Sequence, residues 1–211
     1  MALAELITDP DAGVADIAAV LDALDGRARW ALLSGLGRAE QRALYRKADA
    51  DAMDLAHLVA GAGSLVEVIH DGLNTLPVPP PIRRFQKRFC RPDGSASDRL
   101  FGYNEGPTRR LLGPGYFVAL PTAASDIVAP LADDRRAWRD RGGVVVDYFQ
   151  VPDAPVAPGW PRVVPNSRGL QRFVYHGTRD FVRRVSEHVS IGAAYKGERA
   201  LDHYFILCRR A

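Results

Sequence analysis

Apolar residues in the first sixty positions recur at the three- and four-residue spacing of an α-helix. Val14, Ile17, Leu21 and Leu24 share one helical face, which predicts a helix over residues 14–24. Three further short helices with Ala-rich apolar faces are predicted around residues 30–33, 38–48 and 51–59. Asp51 is the residue type that caps a helix N-terminus, so we expect the last of these helices to begin there.

The pattern changes at Gly61-Ala62-Gly63, after which β-branched and aromatic residues increase and turn residues become frequent. Candidate strands, of which we expect six to eight to form, are residues 65–69, 84–91, 99–104, 108–112, 116–120, 144–151, 170–175, 189–195 and 203–209. Residues 65–69 also match a helix start, because Ser64 and Glu67 have the spacing of a capping box. The first clear hairpin is expected to turn at Pro92-Asp93-Gly94.

Most of these candidate strands are joined by turns that are too short for parallel crossover connections. The sequence therefore predicts an α+β fold in which a helical N-terminal segment packs on a curved antiparallel β-sheet or a partly closed β-barrel. We expect a helical cap over residues 1–60 and a β-rich domain over residues 61–211, forming one compact unit. The prolines of residues 77–81 are typical of a rigid spacer, and residues 130–141 predict either a charged loop or one exposed helix around Trp138.

The densest cluster of polar residues lies in residues 175–188, where a helix is predicted to begin near Thr178. Arg179 and Arg183 would share a face of that helix, and His176 would precede its N-terminus, where backbone N–H groups favour an anion. One interpretation is a clasp for a carboxylate or phosphate, built from His176, Thr178, Arg179 and Arg183. The other is an amphipathic surface helix with Thr178 as its N-cap and Asp180 in its first turn.

The overall charge supports an anionic partner. Residues 1–60 contain 6 Lys or Arg and 10 Asp or Glu, a net charge of −4, whereas residues 61–211 contain 22 and 15, a net charge of +7. The chain has no apolar run of membrane-spanning length and no signal-peptide pattern, so we expect a soluble, cytoplasmic protein without a membrane span. The two cysteines, Cys90 and Cys208, are expected to be buried reduced thiols.

Residues 84–91 interleave aromatic and basic side chains, a pattern that also occurs in strands that bind nucleic acid. Strand alternation places Phe85, Lys87 and Phe89 on one face, which is equally typical of two core aromatics on a strand with a solvated opposite face. The net charge of +3 is small for a nucleic-acid binder, so a nucleic-acid partner is not expected.

The sequence supports neither a metal site nor a cofactor. Its five histidines are scattered without ligand spacing, and the glycines form no nucleotide-binding motif. Cys90 lies between Arg88 and Arg91, but little else supports an activated nucleophile. We therefore expect no metal and no cofactor.

Polar aromatic residues at the ends of predicted strands suggest a pocket instead. The set that we expect to contribute is Tyr103, Asn104, Tyr116, Tyr148, Tyr175, Tyr195 and Tyr204. In a bent sheet, such residues line a pocket with their rings and orient a ligand with their hydroxyl groups, although they also fit the edge of a core. Lys87, Tyr116 and Tyr148 join Thr178, Arg179 and Arg183 as candidate ligand-binding residues.

The leading hypothesis is a protein that binds a small anionic or amphipathic molecule in a pocket of the curved sheet. The first alternative is an enzyme that uses His176 or His188 as acid and base, Asp180 to orient the histidine, and arginines to stabilise an anionic substrate. The second is a protein-interaction module without catalysis. The sequence leaves the ligand and the oligomeric state open.

Overall fold

Eight antiparallel strands close into a barrel in the computed structural model of the chain, which describes residues 2–93, 98–123 and 135–210, with 135–137 described by backbone alone. The strands, numbered in chain order, are β1 (Val68–Asn74), β2 (Arg84–Cys90), β3 (Leu100–Glu105), β4 (Phe117–Pro121), β5 (Val144–Asp147), β6 (Thr178–Arg184), β7 (Val189–Lys196) and β8 (Arg199–Arg209). Each strand pairs with the next along the chain, and β8 pairs with β1. The predicted α+β class is confirmed, and the barrel is fully closed.

Helices cover the outside of this barrel and one of its ends. They are α1 (Leu3–Thr8), α2 (Val14–Asp22), α3 (Gly26–Leu33), α4 (Arg38–Lys47), α5 (Leu55–Val59), α6 (Pro80–Arg83), α7 (Arg109–Leu112) and α8 (Arg135–Arg141). The prediction of short N-terminal helices is confirmed, although α1 was not predicted. Asp54, not Asp51, caps α5, where its Oδ1 accepts a hydrogen bond of 2.7 Å from the backbone N–H of His57. Among the described residues, no helix has both the length and the apolar character that crossing a membrane requires.

The barrel interior is filled by aromatic rings that lie over inward-facing glycines. The directly paired residues are Gly72 with Phe85, Gly102 with Phe117, and Gly192 with Phe205. A Cβ atom added at Gly192 would lie 2.1 Å from Cζ of Phe205, far inside van der Waals contact. A side chain at these positions would therefore compete with a ring for the same space, because side chains alternate in and out along each strand.

One end of the barrel is plugged by α5 and the turn before it. Met53, Leu55, Leu58 and Val59 pack against the interior side chains at that end in a buried cluster that includes Phe89. His70 of β1 is fully buried there, and its Nε2 lies 2.8 Å from the carbonyl oxygen of Leu58. The apolar side chains of α5 thus close the interior that the strands alone would leave open.

The outer surface of the barrel is covered in two places. Helices α1 to α4 pack on β7, β8 and β1, where buried side chains such as Leu21 and Leu44 meet Ile191 and Ile206. On the other side, Trp138 of α8 packs edge-on against Phe181 with 5.4 Å between ring centroids. The expectation of a loop or exposed helix is corrected at Trp138, whose side chain is buried; residues 130–134 lie outside the described part of the chain.

The helix predicted over residues 178–188 is wrong, because most of this segment is strand β6. Phe181, Val182 and Val185 have helical spacing in the sequence, but the strand buries both of its faces. Val182 points into the barrel, and Phe181 packs outside against Trp138. A strand that is buried on both faces lacks the apolar–polar alternation that would have identified it.

Two predicted strands are also wrong. Residues 109–112 form α7, and Leu170–Phe173 is a 3-10 helix. In the closed barrel β3 pairs directly with β4, and β5 pairs directly with β6, so the sheet has no free edge at which an extra strand could pair. The predicted hairpin between β2 and β3 is present, although Gly94 of its turn lies outside the described residues.

We expect Gly192→Ala to lower the free energy of unfolding by about 1–3 kcal/mol, because the added methyl group overlaps the ring of Phe205. Gly26→Ala is the matched control: Gly26 begins α3, no atom lies within 4 Å of its added Cβ, and alanine favours the helix. Urea unfolding followed by tryptophan fluorescence measures both. Equal stability of the two variants would contradict the proposed packing of glycines under rings.

Candidate functional site

A cavity of about 460 Å³ opens at the end of the barrel opposite α5. The side chains that line it come from the ends of strands at this rim and from the segments that connect them. Its apolar walls include Leu76, Val78, Ile82, Phe85, Leu112, Val174, Tyr175, Leu201 and Phe205. The plug closes one end of the interior, and the open end therefore provides a concave, mostly apolar site of the kind that holds small molecules.

Four polar side chains form a buried cluster at the base of this cavity. Nζ of Lys87 donates hydrogen bonds to Oδ1 of Asn104 at 3.2 Å, to the hydroxyl oxygen of Tyr148 at 2.5 Å and to Oδ2 of Asp180 at 3.1 Å. The Tyr148 hydroxyl also donates to Oδ2 of Asp180, over 3.1 Å. All three protons of the ammonium group are thereby used, while no described residue donates a hydrogen bond to Oδ1 of Asp180.

Aromatic rings surround the Lys87 ammonium group. Nζ lies 4.8 Å from the ring centroid of Phe117, 4.9 Å from that of Phe205 and 5.0 Å from that of Tyr148. Phe85 lies further out, at 5.9 Å. The electron-rich faces of such rings attract a cation, most strongly where water is excluded. The cluster therefore combines one carboxylate with an aromatic cage around a single positive charge.

Burial brings the proton affinities of the two charged groups closer together. Desolvation lowers the pKa of Lys87, partly offset by the attraction of Asp180. Desolvation also raises the pKa of Asp180, against the opposing effect of Lys87. Burial and the neighbouring Asp180 carboxylate raise the pKa of Tyr148 well above its ordinary value. Moving a proton from the ammonium group to the carboxylate consequently costs less free energy here than in water.

The mouth of the cavity carries charged side chains that differ in how they are paired. Arg109 is paired with Glu105, with 2.7 Å between Nε and Oε1. Arg84, at the start of β2, is exposed and lies over the ring of Trp30 at 6.0 Å, and none of the described carboxylates pairs with it. His203 is 3.2 Å from Nη2 of Arg38. Among the described residues, Arg84 is thus a cation at the edge of the cavity that no carboxylate neutralises.

The cavity brings together four of the nine candidate catalytic and ligand-binding residues. Lys87, Tyr148 and Asp180 belong to the buried cluster, and Thr178 also lines the cavity, with its hydroxyl group donating to the carbonyl oxygen of Tyr175. The alternation predicted for β2 is confirmed, since Phe85, Lys87 and Phe89 all face the interior. Asp180 contacts Lys87 and Tyr148, and neither of the two histidines that it was expected to orient.

The two arginines expected to bind the ligand lie on the outside of the barrel. Arg179 packs on the rings of Trp138 and Phe149 and pairs with Asp147, with 3.3 Å between Nε and Oδ1. Arg183 donates to backbone carbonyl oxygens at the C-terminal ends of α4 and α8, including that of Tyr45 at 3.1 Å. Strand alternation separates these arginines from Asp180, so the predicted anion clasp does not form.

The remaining candidates also lie away from the cavity. His176 is exposed in the connection before β6. His188 lies beyond the plugged end, with its Nδ1 3.3 Å from Nη2 of Arg209. Tyr116 is buried outside the barrel beside Tyr103 and Trp160, and its hydroxyl group donates to a backbone carbonyl oxygen over 2.5 Å.

The set of strand-end tyrosines is divided by the barrel wall. Tyr148, Tyr175 and Tyr204 line the cavity together with Asn104, whereas Tyr103, Tyr116 and Tyr195 do not. The lining residues that were not predicted include the ionisable side chains of Arg84, Glu105, Arg109 and His203. Arg84 could have been proposed from its position at the start of the strand that carries Lys87, because the ends of strands form the rim of a barrel.

Other chemistry receives no support from the described residues. Cys90 is buried, and desolvation raises its pKa to about 11, the opposite of what an activated nucleophile requires. Cys208 is likewise a buried free thiol. Within residues 2–93, 98–123 and 135–210, no group of three or more His, Cys, Asp or Glu side chains is arranged to hold a metal ion.

The architecture and the site define a closed antiparallel barrel with one plugged end and one open apolar cavity over a buried charge pair. Comparison with known protein families, curated proteins and solved structures gives no match for this chain. Its function is therefore inferred from the geometry of the cavity.

We expect Lys87→Met to lower the free energy of unfolding at pH 8 by about 3–5 kcal/mol, because Asp180 would remain buried without its counterion. Lys87→Met/Asp180→Asn should recover part of this loss, and Lys196→Met, at an exposed position, should change stability little. The Asp180 pKa, already raised, would rise further in Lys87→Met. The folded variant would then bind a proton more readily than the unfolded chain, so its deficit should shrink as pH falls from 8 to 5.

Urea unfolding at the two pH values measures these differences. A deficit of the same size at both pH values would contradict a buried, unpaired Asp180 carboxylate in the Lys87→Met variant.

Proposed function

We propose that the barrel binds a small, mostly apolar molecule that carries a polar group. The observation that carries this proposal is the cavity of about 460 Å³, whose walls are apolar and whose base is the buried cluster of Lys87, Asn104, Tyr148 and Asp180. An apolar body would displace water from the walls, while a carbonyl or hydroxyl group of the ligand would meet the polar base. In such a site the apolar walls contribute affinity, and the few convergent polar groups fix the orientation of the ligand.

The charge distribution favours an anionic group at the mouth and a neutral polar group at the base. Lys87 and Asp180 compensate each other, so a further negative charge beside them would lack a partner. Arg84 has no carboxylate partner among the described residues and lies at the edge of the same cavity. An amphipathic ligand that carries its anionic group toward Arg84 fits this arrangement.

Part of the apolar surface at the mouth of the cavity is exposed to solvent. Ile82 and Val174 line its mouth, yet they are 38% and 40% exposed to solvent. A ligand that reaches the mouth would cover this apolar surface and gain free energy from its removal from water.

The other hypotheses remain predictions. An enzyme using His176 or His188 is not favoured by the cavity, since neither side chain lines it. Nothing in the described part of the chain identifies a partner for a protein-interaction module, and the cytoplasmic location rests on the sequence and on two free thiols.

Filling the cavity should weaken binding. Ala194 of β7 lines the cavity, and we expect Ala194→Trp to weaken binding of the neutral fluorescent probe N-phenyl-1-naphthylamine by about tenfold or more. Ala200→Trp introduces the same side chain at an exposed position that is not part of the lining, and it should bind like the unmodified protein. Fluorescence titration gives the dissociation constants. Equal affinity of the two variants would place the probe elsewhere and refute the proposed site.

Removing the charge of Arg84, which no described carboxylate neutralises, should weaken binding of an anionic ligand selectively. We expect Arg84→Gln to weaken binding of 1-anilinonaphthalene-8-sulfonate about fivefold, the effect of one exposed ion pair. N-phenyl-1-naphthylamine, which lacks the sulfonate group, should bind this variant with unchanged affinity. Titration of both probes at low and high salt measures the difference. An equal loss for the two probes would show that Arg84 contributes packing and not charge recognition.

A further inference from the structure

Lysine is rare in this chain compared with arginine, so a lysine at position 87 is informative. The sequence contains 28 Lys and Arg residues, and its lysines are Lys47, Lys87 and Lys196. Lys47 donates to backbone carbonyl oxygens near α1, Lys196 is exposed, and Lys87 alone of the three is enclosed in the barrel. A permanent buried cation is ordinarily supplied by arginine, whereas a lysine can lose its proton and become a nucleophilic amine.

We propose that Lys87 captures a small aldehyde or ketone covalently, as a protonated Schiff base at the base of the cavity. This inference rests on the proposed binding function and names the chemical class of the ligand: an apolar molecule with a reactive carbonyl group.

The reaction needs a proton acceptor beside the amine, and Asp180 is positioned to be that acceptor. Oδ2 of Asp180 lies 3.1 Å from Nζ of Lys87, and the Tyr148 hydroxyl group contacts both atoms. Asp180 can therefore accept a proton from Nζ directly or through Tyr148. Burial supports this transfer, because it lowers the pKa of Lys87 and raises that of Asp180. A nucleophilic amine paired with an adjacent base is the usual arrangement for covalent catalysis by lysine.

The surroundings of Nζ suit the product as well as the reactant. A protonated Schiff base is a cation at the same nitrogen, so it keeps the aromatic faces of Phe117, Tyr148 and Phe205 and the Asp180 counterion. The lysine side chain is only 2% exposed, and the walls above it are apolar. Limited access of water would slow hydrolysis of the adduct.

The reaction balances without an oxidant or reductant. Asp180 takes a proton from the ammonium group, and the free amine forms a C–N bond to the carbonyl carbon. The carbonyl oxygen receives that proton and becomes the hydroxyl group of a carbinolamine. Asp180 then takes a second proton from the nitrogen and delivers it to this hydroxyl group, which leaves as water while the C=N bond forms. The net change is the ammonium group plus a carbonyl compound giving an iminium ion and water, with Asp180 again a carboxylate.

The test uses the purified full chain with 2-naphthaldehyde and sodium cyanoborohydride, which reduces a Schiff base to a stable amine. Intact mass and peptide mapping locate the adduct, and Lys47 and Lys196 are internal controls for random modification. We expect one adduct, on Lys87, whose formation is slowed by excess 2-naphthalenemethanol, a matched alcohol that binds without condensing. Displacement of N-phenyl-1-naphthylamine reports binding of the aldehyde and the alcohol independently of the chemistry.

Two variants identify the roles of the residues. Lys87→Arg keeps the cation but has no amine to condense, so the adduct at position 87 should be lost; its unfolding transition shows whether it is folded. Asp180→Asn should slow trapping by about a hundredfold, the usual contribution of a positioned base. If either variant fails to fold, Ala194→Trp serves instead: it should slow labelling of Lys87 and leave that of Lys196 unchanged.

The outcomes separate the two proposals. If the aldehyde and the alcohol both displace the probe but no adduct forms on Lys87, covalent capture is overturned while binding stands. Labelling of Lys47 and Lys196 as fast as Lys87 would equally overturn it. If neither the probe nor the naphthyl compounds bind, the proposed function fails, and this inference fails with it.

Discussion

The ion pair of Lys87 and Asp180 is the interaction on which the interior of this protein depends. In the strand order of the barrel, β2 and β6 are four strands apart, so the pair spans the interior from one wall to the opposite one. Two isolated charges in this position would each cost several kcal/mol of desolvation free energy. Asn104 accepts a further hydrogen bond from Lys87, and Tyr148 is hydrogen-bonded to both charged groups. The charged pair thus links opposite walls of the barrel and leaves polar atoms at the base of a cavity.

The two ends of the barrel have opposite characters because different segments cover them. Leu58 and the rest of α5 fill one end with apolar side chains, and the interior there is closed. At the other end the connections run around the rim, and the space above Lys87 stays open. Inward glycines such as Gly192 let large rings fill the middle layer without widening the barrel. A closed, plugged barrel has no free strand edge, and its interior is reached through the open cavity.

Much of the architecture could be predicted from local patterns. The helical spacing of Ile17 and Leu21, the turns between strands and the alternation along β2 gave the α+β class and placed Lys87 on the same face as two aromatic residues. The errors share one cause: tertiary contacts overrode local preference. Residues 178–184 became a strand because both of their faces are buried, and residues 109–112 became a helix where the closed barrel offered no edge.

The sequence by itself determined that Lys87 and Phe89 face one side of a strand, because side-chain alternation has a period of two and depends on no other segment. The sequence also identified two other members of the cluster. Tyr148 was one of the tyrosines at strand ends, and Asp180 was the residue expected to orient a histidine. Only the tertiary structure decided that these residues meet, since closing the barrel brings together positions 87 and 180, which are remote in the chain. It also decided that Arg179 and Arg183 lie outside the barrel. Which residues share an interior follows from strand order and closure, and these are set by packing of the whole chain.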